Sequence, residues 1–345
     1  MSKLTEDPRI DPRIKASPLG AVPDMPPLPD VASREELLAE ANSEEAKAAR
    51  EMMAPLFGTL FSEEIAATAG LRGETLSFTS SPDGNTVRIN YIRPDTDETL
   101  PCVYYIHGGG MQTGSAFEPL THAWGRTIAH EGVAVAMVDF RNCLVASSAP
   151  EVEPFPAGLN DCVSGLRWVI DNASALGIDP GRVIVAGESG GGNLTLATGL
   201  QLCRDGDTGL VRGLYAMCPC IVGTIPDERF PSTTENDGII LTAHGNRTLM
   251  AYGIKEWENG NPLAWPVFAT ETDVADFPPT VITVNECDPL RDEGIAFYRL
   301  LLAAGRPARC TQLMGTVHAT EVFSIACPDI SRDSAASIAR FAHGH

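Results

Sequence analysis

The sequence predicts an α/β fold: a mostly parallel central sheet with helices on both faces and a helical cap. Three observations lead there. Short β-rich runs alternate with stretches of helical period, which is the pattern of parallel strands joined by right-handed crossovers. One run opens into a small-residue corner, Gly187-Glu188-Ser189-Gly190-Gly191, ahead of residues that can continue as a helix. The chain has 345 residues at 43% hydrophobic, enough for one large α/β domain with insertions and a substantial core.

Residues 1–30 carry seven prolines and a tandem Asp-Pro-Arg-Ile, first at Asp7–Ile10 and again at Asp11–Ile14. They have no helical or strand period and read as an extended arm rather than a packed element. Ser33-Arg34-Glu35-Glu36 is a capping-box pattern, so a helix is expected from there to about Met53. From about Leu76 the texture becomes β-rich, with runs at Thr86–Ile92, Pro101–Ile106, Val133–Phe140, Arg182–Ala186, Gly213–Met217, Thr280–Val284 and Ala308–Met314. Leu159, Cys162, Val163, Leu166, Ile170 and Ala173 recur at helical spacing, with Gly177 as a stop. Asp292–Ala304 repeats that design and ends at Gly305. Between about 219 and 265 the alternation lapses, which marks an insertion over the C-terminal edge of the sheet, where open α/β sheets hold ligands. The expected division is therefore 1–75 as arm and cap helices and 76–345 as the catalytic domain, with a cap insertion at about 219–265.

The corner at Ser189 matches G-x-S-x-G, a strand-turn-helix elbow that lifts a serine clear of the backbone. Short motifs match by chance, so its meaning depends on partners. A serine hydroxyl needs a base to take its proton and an acid to orient that base. Of seven histidines, only His318, His343 and His345 lie beyond the serine and a late acid. His318 follows a strand in the loop Gly315-Thr316-Val317-His318, whereas the last two belong to a fraying tail. For the acid, Thr280–Val284 runs into Asn285-Glu286-Cys287-Asp288-Pro289. Asp288 sits in a loop stiffened by Pro289 and is favoured over Glu286, while Asp292 and Glu293 suit the start of the next helix. The plain alternative for Asp288 is a turn aspartate.

Acyl transfer also needs donors for an oxyanion. His107-Gly108-Gly109-Gly110 follows a strand, and its glycines can present N–H groups to a substrate. Gly190, next to the serine at a helix start, supplies another. The same glycines could cradle a phosphate, but no Lys-Ser/Thr ending follows them. His107 reads as an anchor of the loop rather than a base.

Taken together, His107-Gly108-Gly109-Gly110-Met111, Met137–Asn142, Gly187–Leu194 and Asp288–Gly294 make the chain resemble the hormone-sensitive-lipase-like (family IV) α/β-hydrolase esterases. The likeness runs from about residue 76 to the C-terminus. It implies an α/β-hydrolase fold, with Ser189 as nucleophile, Asp288 as acid, His318 as base, and an oxyanion hole from Gly109, Gly110 and Gly190. It further implies a carboxylesterase that acts on short-acyl esters through an acyl-enzyme and needs no cofactor or metal. A macrolactone (brefeldin-type) esterase is the alternative within the group, and a non-catalytic small-molecule binder on the same fold is the alternative outside it. Two departures stand out. Most relatives read Gly-Asp-Ser-Ala-Gly-Gly at the elbow, where this chain has Glu188 and Gly190. They also often have glycine where Ala319 follows His318.

A net charge of -20 makes phosphate backbones and anionic membranes poor partners. No apolar run reaches the roughly 18 residues of a membrane helix, and no leader pattern opens the chain. Nine scattered cysteines read as reduced, with Cys218-Pro219-Cys220 structural, and the expected location is cytoplasmic. A small-molecule ester is the expected partner, and a homodimer is compatible with the sequence.

Overall fold

The computed structural model describes residues 2–24, 26–242 and 244–344. Among them the strands are β1 (Leu71–Thr79), β2 (Thr86–Pro94), β3 (Leu100–Ile106), β4 (Ala134–Asp139), β5 (Ile178–Glu188), β6 (Gly213–Met217), β7 (Thr280–Asn285) and β8 (Ala308–Leu313). They form one eight-stranded sheet in the order β1-β2-β4-β3-β5-β6-β7-β8. The β1–β2 and β2–β4 pairings are antiparallel, and from β4 onward every pairing is parallel. The α/β-hydrolase fold expected above is therefore the fold observed.

Strands buried on both faces read as continuous apolar runs, and β3 and β4 are buried along their whole lengths. Alternation still sorts their side chains. Tyr104 and Ile106 join the larger core with Leu159, Leu166, Leu194 and Phe297. Val103 and Tyr105 join the opposite core with Trp124, Ile128, Ala335 and Ile338. Helices Pro119–Ala129 and Pro328–His343 thus cover one face, and Ala157–Asp171, Gly190–Asp205 and Arg291–Ala303 the other.

Four expectations need correction. β1 begins at Leu71, before the change of texture at Leu76; most of its residues are exposed, so it lacks a clean apolar signal. The stretch after Ser33 is two helices, Arg34–Ala41 and Glu44–Phe57, because Ser43 caps a new start by accepting the Ala46 N–H. His343 is the last residue of a helix rather than part of a frayed tail, while His345 lies outside the described residues. The proline-rich start is packed. It holds short helices at Lys3–Glu6 and Pro12–Ala16, and Leu4, Ile10, Ile14 and Leu19 are buried. Proline at the first helical position is no obstacle to a turn, and Asp11 caps it.

The excursion between β6 and β7 contains short helices at Ser232–Glu235, Arg247–Tyr252 and Ile254–Glu258. The N-terminal segment meets it directly. Val31 N–H donates to Asn246 Oδ1 at 3.0 Å, Asn246 N–H donates to Asp30 Oδ1 at 2.9 Å, and Arg247 pairs with Glu40. No helix among the described residues is long and apolar enough to cross a membrane. None of the nine cysteines is in a disulfide.

Candidate active site

β5 ends at Glu188 and the next helix begins at Gly190, so Ser189 carries the turn alone. Its backbone sits at φ 56°, ψ -118°, a region costly for a residue with a β-carbon. The surroundings hold it there. Ser189 N–H donates to Met217 O at 2.9 Å, and its carbonyl accepts from Cys220 N at 3.0 Å and Asn193 N at 3.0 Å. The hydroxyl therefore projects above the C-terminal ends of the parallel strands, where the loops after β7 and β8 also converge.

Those two loops bring Asp288 and His318 to it. His318 Nδ1 lies 2.8 Å from Asp288 Oδ2, and His318 Nε2 lies 3.0 Å from Ser189 Oγ. An ionised carboxylate only accepts. Nδ1 therefore carries the proton and donates to Asp288, leaving Nε2 to accept from the serine hydroxyl. Asp288 is fully buried, and its other oxygen accepts the Leu290 N–H at 2.9 Å. Burial of His318 works against its charged form, but the Asp288 carboxylate outweighs this and holds its pKa well above the usual histidine value. The Cys218 thiol stands in the same cluster, its sulfur within 4.8 Å of the ligating atoms of Asp288 and His318. Burial pushes that thiol up to about 11, so it stays protonated near neutral pH. The fold has brought Cys218 beside a histidine from a distant part of the chain, a proximity the local sequence did not signal.

A supporting layer escaped the sequence reading. Asn285 donates to Thr316 Oγ1 at 2.9 Å and to Glu321 Oε2 at 3.0 Å, and its carbonyl accepts the Ala319 N–H at 3.3 Å. Burial raises the pKa of Glu321. Ala319 adopts a left-handed backbone at φ 55°, a conformation that glycine takes at little cost. Glu293 does start a helix, yet its side chain turns inward and accepts the N–H groups of Ile221 and Val222 at 2.8 and 2.6 Å. Burial pushes it up to about 8.

Around the glycine loop, His107 is buried and stacks on Phe140 with ring centres 4.4 Å apart, and its Nδ1 donates to Gly108 O at 2.8 Å. Burial keeps it neutral by lowering its pKa. Gly109 and Gly110 have φ of 102° and 62°, open to glycine at little cost. Gly110 lies against the elbow: a β-carbon added to Gly190 would stand 2.7 Å from Gly110 N and 2.6 Å from Met111 N. Gly190 opens a helix, and the first N–H groups of a helix have no acceptor within it. Glu188 fixes the loop from below, accepting the Gly108 N–H at 2.7 Å and bonding the Tyr105 hydroxyl. The sequence marked Glu188 only as a departure from relatives.

Residues 103–322 match the family model described as the alpha/beta hydrolase fold. Carboxylesterase NlhH of Mycobacterium tuberculosis is 34% identical over 244 residues, covering 69% of this chain and 72% of its own. Among solved structures, esterase Est22 is 59% identical with a TM-score of 0.97, covering 99% of this chain and 100% of that one. Brefeldin A esterase, described as a bacterial homologue of human hormone sensitive lipase, is 32% identical with a TM-score of 0.86, over 99% of this chain and 96% of its own.

Proposed function

The chain belongs to the α/β-hydrolase family, among the carboxylesterases related to hormone-sensitive lipase, and is a carboxylic ester hydrolase; from that premise we propose that Ser189, His318 and Asp288 are its catalytic triad. Ser189 Oγ attacks the ester carbonyl as His318 Nε2 takes its proton. Asp288 holds the imidazole in the required tautomer and stabilises the imidazolium. His318 then protonates the leaving alkoxide and activates water to release the acid from the acyl-enzyme. The N–H groups of Gly109, Gly110 and Gly190 receive the oxyanion. The single observation behind this reading is the unbroken chain from Ser189 Oγ through His318 to Asp288, at 3.0 and 2.8 Å.

The substrate is a small-molecule ester with a short acyl chain. Residues 1–75 and the insertion at about 219–265 act as a cap over the catalytic domain, a reading supported by the contacts of Val31 and Asp30 with Asn246. The protein works in the cytoplasm, which fits its free cysteines. Macrolactone opening is the second reading, favoured by the likeness to brefeldin A esterase.

A fluorophosphonate probe, followed by peptide mapping, tests the assignment. Labelling at Ser189 is expected, and tight small-molecule binding without labelling would point instead to a non-catalytic binder. A p-nitrophenyl ester series of increasing acyl length, run beside lactones, then separates the two hydrolase readings.

A further inference from the structure

The tandem Asp-Pro-Arg-Ile repeat is an element that the proposed chemistry does not use. Both copies are built alike. Asp7 accepts from the Arg9 N–H at 2.9 Å and from its guanidinium at 2.6 Å; Asp11 does the same with Arg13, at 2.8 and 2.8 Å. Each Asp–Arg pair closes a turn that drives the following isoleucine inward, and Ile10 and Ile14 are 2% and 0% exposed.

What these isoleucines meet gives the repeat its meaning. They share one buried apolar cluster with Cys287 and Val317, the residues immediately before Asp288 and His318. Polar contacts run to the same two loops. Asp11 N–H donates to Gly315 O at 2.9 Å, on the loop that carries His318. Arg9 pairs with Glu235 and donates to Asn236 Oδ1 at 2.8 Å, and the Asn236 amide in turn donates to Asp288 O at 3.0 Å and Glu286 O at 3.1 Å.

The site needs such bracing on this side. His318 follows β8, which ends the sheet and pairs only with β7 among the described strands. An edge strand offers its loop no neighbour on the outer side. The two loops hold each other through Cys287 N–H on Thr316 O at 2.9 Å and Gly315 N–H on Glu286 Oε2 at 2.7 Å, and the repeat packs across both.

We propose that the tandem Asp-Pro-Arg-Ile segment is a clasp that sets the distance between Asp288 and His318, with Arg9, Ile10 and Ile14 as positioning residues. This rests on the reading of Asp288 and His318 as acid and base. The clasp touches no substrate and acts only through the two loops. A displacement of about 1 Å at a reacting group costs on the order of a hundredfold in rate, so loosening the clasp lowers kcat far more than it changes KM.

The test compares Ile10→Ala/Ile14→Ala, Ile10→Val/Ile14→Val and Arg9→Ala in the full chain, using p-nitrophenyl acetate across pH. The double alanine variant is expected to lose about tenfold to a hundredfold in kcat with KM within about twofold. The acid limb of its kcat/KM profile should move to lower pH, because a looser Asp288 no longer raises the base. The double valine variant should keep both parameters. Val169→Ala/Ile178→Ala, in the larger core at the start of β5 and away from Ser189, serves as the comparator, its loss of stability set beside that of the alanine pair by thermal melts, with its kcat and acid limb expected to remain at wild-type values. Arg9→Ala, at a partly exposed side chain outside the apolar cluster, decides the matter if the alanine pair does not fold: a shifted acid limb with reduced kcat supports the clasp, and a wild-type profile overturns it. An alanine pair with wild-type kcat and acid limb, or a Val169→Ala/Ile178→Ala protein equally impaired, also overturns it. Fluorophosphonate labelling of the wild type keeps the two readings apart. Absence of labelling defeats the triad, whereas a labelled wild type with unimpaired clasp variants defeats only the clasp.

Discussion

Glu188 and Gly108 are joined by a hydrogen bond of 2.7 Å, from the N–H at the start of the glycine loop to the carboxylate just before the elbow serine. The other oxygen bonds Tyr105, and burial lifts the pKa of Glu188 to about 7. One buried side chain thus fixes the distance between the proposed nucleophile and the proposed oxyanion donors.

Replacing Glu188 by alanine leaves the Gly108 N–H and the Tyr105 hydroxyl buried without this partner, a loss worth about 1–3 kcal/mol per group. Glu188→Ala is expected to lower kcat on p-nitrophenyl acetate by about tenfold or more, and to lower Tm. Glu188→Gln keeps an acceptor for Gly108 and should stay within about fivefold of wild type. Steady-state kinetics and thermal melts of the two proteins check both statements.

Stability should fall as pH rises through neutrality. Glu188 and Glu293 have folded pKa values of about 7 and about 8 against ordinary values of 4.5. Their contribution is complete below the unfolded value and is lost as pH climbs through the folded ones. The carboxylates of Asp7, Asp11 and Asp227, each lowered chiefly by a hydrogen bond from its arginine, work the other way and lose their contribution only in acid. Tm is therefore expected to decline between about pH 4.5 and pH 8. Glu188→Gln combined with Glu293→Gln should flatten that decline.

Gly190 is tied to this backbone geometry. An alanine there would place a β-carbon 2.7 Å from Gly110 N, a backbone atom with no freedom to rotate away. Gly190→Ala is expected to push the loop off the elbow and to cost about tenfold or more in kcat, in line with disturbing one proposed oxyanion donor. Binding of a boronic acid inhibitor should weaken in parallel.

The rate should follow the base. His318 must be neutral to accept a proton, and Asp288 holds its pKa well above the ordinary 6.5. kcat/KM is thus expected to rise with pH along a limb whose midpoint lies above pH 6.5, the ordinary value of the imidazole. Asp288→Asn removes the charge that raises the base and permits the wrong tautomer. It should move the limb downward and reduce kcat by about four orders of magnitude. pH–rate profiles of both proteins measure this.

The parts of the site that sit next to turns and glycines were legible in the sequence. Ser189 follows β5 directly, and Asp288 and His318 lie in the loops that leave β7 and β8, so chain order and the strand-loop reading were enough to single them out. Glu188, Asn285, Glu293 and Glu321 were not, because their partners, such as Tyr105 for Glu188 and Ile221 for Glu293, lie far along the chain and meet them only through the sheet. The same holds for the fold. β3 and β4 are buried on both faces and read as apolar runs, whereas β1, largely exposed, carries no such signal. Ile10 and Ile14 were hidden by the prolines around them, since local period says nothing about a segment that gains its order by docking on two distant loops.

Hydrolysis of p-nitrophenyl acetate by Ser189→Ala tests the central assignment most directly. The triad reading predicts a folded protein whose kcat falls by about four orders of magnitude or more, leaving only the residual contribution of oxyanion donors and binding. A Ser189→Ala protein that retains substantial turnover would contradict it.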